Sequence, residues 1–86
     1  MAYELLIKRQ AKKMLKSLSR PDRFRITEKI VALGANPDDS GLDVKPLSGK
    51  GCYRLRIGDW RILYERDDEI RVIAIERIKS RGGVYK

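Results

Sequence analysis

Between Cys52 and Tyr64 the chain reads CYRLRIGDWRILY, with apolar and cationic residues alternating on either side of Gly58-Asp59. A period of two sends successive strand side chains to opposite faces, so Tyr53, Leu55, Ile57, Trp60, Ile62 and Tyr64 share one side and Arg54, Arg56 and Arg61 the other. A two-residue link that opens with Gly tolerates the positive φ of a tight hairpin turn. Pairing across that turn sets Arg56 opposite Arg61 and Arg54 opposite Leu63. The pattern continues through Asp67-Asp68-Glu69 into IRVIAIERI. A second turn centred on Asp68-Glu69 places Ile73 opposite Tyr64 and Ile75 opposite Ile62 on the apolar side, with Ala74 and Glu76 among the arginines. Cys52 to Ile78 is thus expected to form a three-stranded antiparallel meander in one register. Like charges facing each other across a ladder are destabilising, and core packing gives Arg56 no reason to face Arg61. The cationic side therefore reads as a surface for an anionic ligand.

The remaining chain supplies what this meander needs to bury its apolar side. Ala2 to Lys8 has Tyr3, Leu5 and Ile7 on one face and reads as a strand that joins the later sheet. From Arg9 the period changes: Ala11, Met14, Leu15 and Leu18 form one helical stripe, with Lys12, Lys13 and Lys16 around the rest. Ser19 is placed to cap a second helix, with Pro21 in its first turn and Asp22 against the positive end of the helix dipole. That helix is expected to run to about Ala35, with Phe24, Thr27, Ile30, Val31 and Gly34 forming its apolar face and Ile26 and Leu33 beside them. Asn36-Pro37 ends it, because proline disfavours the α conformation in the residue before it. Asp38 to Gly51 reads as a loop anchored by Leu42, Val44 and Leu47. Its Gly49-Lys50-Gly51 is a turn, lacking the spacing and following helix of a phosphate-binding loop.

The expected fold is one α+β domain spanning residues 1–86. It comprises an N-terminal strand, two antiparallel helices and the meander, in a mostly antiparallel four-stranded sheet with both helices on one face and the arginines on the other.

Charge narrows the partner. Twenty Lys and Arg against twelve Asp and Glu leave a net charge of +8, which favours nucleic acid or another polyanion. The chain has no His and a single Cys, which excludes an internal disulfide, a thiolate cluster and the usual zinc sites. No metal or cofactor is expected, and Cys52, with no His to activate it, reads as a small hydrophobe. No run approaches the ~20 apolar residues that span a bilayer, and MAYELLIKRQ lacks a signal-peptide hydrophobic region. The expected location is the cytoplasm, without a membrane partner.

The stretch LSGKGCYRLRIGDWRILYERDDEIRVIAIERI, followed by a basic segment ending in Val84-Tyr85, resembles the RelE/ParE superfamily of bacterial and archaeal toxins, and its RelE branch more closely. The likeness covers nearly the whole chain. Its most specific parts are Leu47-Ser48-Gly49, Tyr53 to Tyr64 and the terminal Val84-Tyr85. The resemblance implies the toxin of a type II toxin–antitoxin system: an endonuclease that cuts mRNA in the ribosomal A site without a metal. It implies a cognate antitoxin as partner, together with the ribosome, its rRNA and mRNA. By position, it implies that Arg54 and Arg56 occupy two basic strand sites that are often Lys in RelE, and that Arg61 is the phosphate-binding arginine. Lys79 or Arg81 would be the residue that protonates the leaving group, and Tyr85 the tyrosine near the scissile nucleotide.

Cleavage of RNA by its own 2′-OH needs a route for that proton, positive charge on the phosphorane and a proton for the leaving 5′-oxygen. Arg56 and Arg61 can act as phosphate clamps, their planar guanidinium groups matching phosphate oxygens. Arg at 54 and 56 in place of Lys weakens a general-base role there, because arginine does not deprotonate in proteins. Glu76 is therefore the candidate base, with Glu65 a poorer one, although Glu76 also reads as a charge partner for Arg61. Tyr85 stacks on a base, orders the phosphate or packs the terminus. Two other readings stay open: a ParE-like inhibitor of DNA gyrase without RNase activity, and a basic binding module whose catalysis has decayed.

Overall fold

A computed structural model describes residues 2–49 and 51–80. The elements run β1 (Glu4–Ile7), α1 (Arg9–Ser17), α2 (Arg20–Ala35), β2 (Asp43–Pro46), β3 (Cys52–Ile57), β4 (Trp60–Asp67) and β5 (Val72–Ser80). The strands form a five-stranded sheet in the order β1-β5-β4-β3-β2. β1 runs parallel to β5, and the other pairs are antiparallel. The α+β class and element order agree with the sequence reading, but the sheet has one strand more than expected. That strand is β2, inside the segment read as a loop. Val44 pairs with Leu55 and packs against the core, while the neighbouring residues are exposed and Pro46 ends the strand. Proline cannot donate to a ladder and is tolerated at an edge.

The β3–β4 hairpin is as expected. Gly58 takes φ 57, and the pairs run from Ile57↔Trp60 through Arg56↔Arg61 and Arg54↔Leu63 to Cys52↔Glu65. The second turn is wider than expected. Asp67 pairs with Val72, and the Asp67 Oδ1 accepts the amides of Glu69 (3.0 Å) and Ile70 (3.3 Å). Tyr64 therefore faces Ile75, and Arg66 faces Ile73. An even shift of register leaves every side chain on its face, so Ile73 and Ile75 remain in the core. The single register does not continue, however. Tyr64 pairs with Ile75 but Leu63 pairs with Arg77, so Glu76 is an extra residue in β5. This β-bulge returns Ile78 to the core opposite Ile62.

The helices cover the apolar face. Ala11, Leu18, Ile26, Ile30 and Leu33 pack with Leu55, Ile57, Ile62, Tyr64, Ile73, Ile75 and Ile78, with Tyr53 and Trp60 partly buried against them. Complete burial of each large aliphatic side chain contributes roughly 1.5–3 kcal/mol. α2 is rotated from the expected orientation: the flanking Ile26 and Leu33 form its buried line, whereas Phe24 and Val31 are 64% and 58% exposed. Gly34 helps explain the rotation. A Cβ there would lie 2.9 Å from Leu5 Cγ, and the Tyr3 amide donates to the Gly34 carbonyl at 2.7 Å. The last turn of α2 thus meets the start of the sheet where only glycine fits. At the other end, the Ser19 Oγ accepts the Asp22 amide (3.4 Å), and Arg23 donates to the carbonyls of Leu15 (3.2 Å) and Leu18 (3.1 Å) at the end of α1.

An ionic clamp ties the loops together. The half-buried Arg66 donates to both Asp38 oxygens at 2.9 and 3.1 Å and to Asp68 Oδ1 at 2.7 Å. The Tyr3 hydroxyl donates to the same Asp68 oxygen at 2.7 Å, and the guanidinium lies 5.4 Å from the Tyr3 ring centroid. Hydrogen bonds from Arg66 hold both carboxyls below their ordinary value of 3.8.

A carboxyl group with a lower pKa folded than unfolded adds stability above its unfolded value, and that stability is lost as the pH falls through the folded value. Resistance to urea should therefore hold from neutral pH to about 4 and decline below it. Arg66→Met should be less stable at neutral pH and have a shallower acid decline. Parallel acid limbs in urea titrations of the two proteins would show that the clamp is not coupled to folding.

Candidate functional site

The register decides which side chains meet on the face turned away from the helices. Asp43, Arg56, Arg61 and Lys79 form one cross-strand row over β2, β3, β4 and β5. Lys45, Arg54, Leu63 and Arg77 form the next. The third is different: Cys52, Glu65, Ala74 and Leu6 carry no cation. Strands lie about 4.8 Å apart, so neighbouring arginines in a row are within reach of one ligand.

Of the residues singled out in the sequence, the fold brings together Arg54, Arg56, Arg61 and Lys79. Arg56 and Lys79 are exposed, while Arg54 and Arg61 are half-buried. Arg81 and Tyr85 lie outside the described residues. The bulge adds Arg77 to this face, and β2 adds Lys45. The sequence reading missed both, although the change in apolar spacing from Ile73-Ile75 to Ile75-Ile78 is a readable sign that an extra residue interrupts the alternation.

Among the described residues, none of Arg54, Arg56, Arg61, Arg77 and Lys79 forms a salt bridge. Arg54 Nε is also buried without a hydrogen-bond partner among them. Glu76 lies on this side, as expected, but the expectation that it pairs with Arg61 is corrected. Its Oε2 is 3.7 Å from the Lys8 Nζ, because the bulge directs it toward the end of β1. Glu65 is in the third row, two residues beyond Leu63 along β4. Beside that row, Leu6, Lys8, Glu65, Ile70, Val72 and Ala74 border a groove of about 410 Å³.

This arrangement suits a phosphodiester. Guanidinium groups offer paired N–H donors in a plane that matches phosphate oxygens, and they remain charged. Among the described residues, Asp43 at the β2 edge is the one carboxylate in these two rows and Glu76 is engaged by Lys8, so six cations outnumber one acid and the face presents a concentrated positive field to a ligand.

Comparison with known proteins agrees with this fold. Residues 5–85 match the family model described as the ParE toxin of the type II toxin-antitoxin system parDE. A Methanocaldococcus jannaschii protein assigned as the toxin RelE1 is 34% identical over 88 residues, covering 100% of this chain and 98% of the relative. A chain of the archaeal RelE–RelB complex from Pyrococcus horikoshii superposes with a TM-score of 0.84 at 35% identity, over 95% of this chain and 98% of that one. The RelBE2 toxin–antitoxin complex of Mycobacterium tuberculosis contains a chain with a TM-score of 0.80 at 26% identity, covering 94% and 93%.

The opposed arginines should have a measurable cost. Arg61→Gln removes the repulsion across both the Arg56↔Arg61 and Arg61↔Lys79 pairs and should stabilise the fold by a few tenths to about 1 kcal/mol at low ionic strength. The gain should shrink in high salt, where exposed charges are screened. Urea unfolding at two salt concentrations checks this, and a variant no more stable than the parent at low salt would contradict it.

Proposed function

Because the chain belongs to the RelE/ParE family of type II toxin–antitoxin toxins, we propose that it is a ribosome-dependent, metal-independent mRNA endonuclease that acts in the ribosomal A site and arrests translation. The observation that carries this reading is the row Arg56–Arg61–Lys79 on the open face of the sheet, without a salt bridge among the described residues. Arg61 and Arg56 would hold the non-bridging oxygens of the scissile phosphate as charge builds on them. The 2′-oxygen attacks phosphorus and loses its proton, and the bond to the 5′-oxygen breaks, leaving a 2′,3′-cyclic phosphate and a 5′-hydroxyl. Lys79, in register with Arg61, supplies the leaving-group proton in this scheme, with Arg81 as the other candidate. Glu76 is the candidate acceptor for the 2′ proton, and Tyr85 is assigned to the base or phosphate at the cleavage point.

A cognate antitoxin is part of the proposal. The Pyrococcus and Mycobacterium relatives were solved as toxin–antitoxin complexes, which supports a dedicated partner here. Acidic side chains on such a partner would complement the two cationic rows, and apolar ones would fit the groove beside Leu6 and Val72. Co-expression of the neighbouring small open reading frame should restore growth.

The match to a model described for ParE supports a second reading, inhibition of DNA gyrase without RNA cleavage. Separate measurements of translation and of plasmid supercoiling after induction distinguish the two. Arrested translation with normal supercoiling is expected.

Arg61→Ala gives the sharper test. It should preserve the fold and reduce single-turnover mRNA cleavage on ribosomes by on the order of 10²-fold or more, comparable to the loss of one oxyanion-stabilising group. Ribosome binding should fall far less, because the remaining Lys and Arg supply most of the nonspecific attraction to RNA. Equal losses in binding and cleavage would make Arg61 a docking residue.

A further inference from the structure

The bulge at Glu76 has a chemical consequence beyond the row that contains Arg61. Strict alternation from Ile75 would turn Arg77 and Lys79 toward the core and Ile78 outward. With the extra residue, Ile78 is buried opposite Ile62, Lys79 stands beside Arg61 and Arg77 stands beside Leu63. Bulges interrupt a ladder and often re-aim side chains next to active sites. Here one bulge delivers a cation to each of two rows. The Arg61 row suffices for a single phosphate, so the second row, Lys45–Arg54–Leu63–Arg77, is left unused by that chemistry.

We infer that this second row is a subsite for the nucleotide adjoining the phosphate held at Arg61: Arg54 and Arg77 bind its phosphate, and Leu63 between them packs its base. The assignment rests on the reading of this face as an RNA site. Three observations carry it.

The first is charge. Neither Arg54 nor Arg77 has a salt-bridge partner among the described residues, and the carboxylate next to Arg77, Glu76, is engaged by Lys8 at 3.7 Å. Arg54 also keeps a buried Nε without a hydrogen-bond partner there, an unmet donor of the kind that needs a reason in a native fold. The second is spacing. The rows are two residues apart along each strand, about 7 Å, which is comparable to the separation of successive phosphates in an extended single strand. The third is shape. Leu63 is half-buried and lies directly across from Arg54 on one side and Arg77 on the other. An apolar surface framed by guanidinium groups suits an unstacked base, and RNA is recognised largely through such splayed bases and its phosphates.

The test uses uncleavable 2′-O-methyl RNA, a dinucleotide with one phosphodiester and a trinucleotide with two, titrated against the full chain by NMR at fixed salt. The parent protein should bind the trinucleotide on the order of tenfold more tightly, the contribution expected of a hydrogen-bonded charged contact. In Arg77→Gln that ratio should fall to near one. In Lys13→Gln, which removes one positive charge from α1, it should persist. A ratio of one in the parent, a ratio retained in Arg77→Gln, or a ratio lost equally in Lys13→Gln would overturn the subsite.

Ribosomal cleavage is scored separately. If the ratios behave as expected but ribosome-bound mRNA stays intact, the endonuclease reading fails while the second row stands as an RNA-binding subsite. If mRNA is cut but the ratio in Arg77→Gln is unchanged, only the subsite fails.

Discussion

Burial of one face of the sheet fixes everything on the other. Leu55, Ile62, Tyr64, Ile73, Ile75 and Ile78 are each at most 1% exposed beneath the helices. A strand has only two faces, so Arg54, Arg56 and Arg61 must stand in rows on the opposite one. A slip of one residue between β3 and β4 would turn over the side chains of the slipped strand and bury either Arg54 and Arg56 or Arg61. Desolvating unpaired charges costs far more than any single apolar contact returns. The core is thus what holds the cations in register.

β4 shows how selectively the fold neutralises charge. Arg66, at one end of this strand, meets Asp38 through two hydrogen bonds and Asp68 through a third. Arg61, on the same strand, has Arg56 across one ladder and Lys79 across the other. The chain can therefore satisfy an arginine where the arginine secures loops. Leaving Arg61 between two cations is a different use of the same side chain. The repulsion is tolerated because β4 lies at the centre of the sheet and is paired along both edges.

Much of this was legible from a period of two. The hairpin around Gly58, all its facing pairs and the apolar side of β3 and β4 follow from alternation alone, and Ser19-Arg20-Pro21-Asp22 marks the start of α2 through capping chemistry. β2 was hidden because it is only four residues long and ends in Pro46, with Val44 its sole core contact. The orientation of α2 was misjudged because its sequence has apolar residues all around the helix. Packing against Leu5 at Gly34, a tertiary fact, selected Ile26 and Leu33 over Phe24 and Val31. The wider second turn depends on Asp67 accepting two amides, which composition does not reveal. Alternation put Arg54, Arg56 and Arg61 on one face and resemblance named Lys79, and the ladder brings the four together; Lys45 needed the β2 pairing, and Arg77 the bulge that the Ile75-Ile78 spacing signals.

The chemistry of this face also sets a limit on what it can do. Arginine is effectively always protonated in proteins, so a face built on arginine offers fixed charge to a phosphate and no group to take its neighbour's proton. Lysine at 54 or 56 would have kept that option, since a crowded ammonium group can give up its proton. With arginine there, permanent charge replaces a titratable base. Any pH dependence of the chemistry must then arise outside these three positions, and on the described part of this face the acidic groups within reach are few. Glu76 is the one placed closest in register to the second cationic row, and the bulge that turns Arg77 and Lys79 outward is also what sets Glu76 beside Lys8. One irregularity in β5 therefore positions both the extra cations and the candidate proton acceptor.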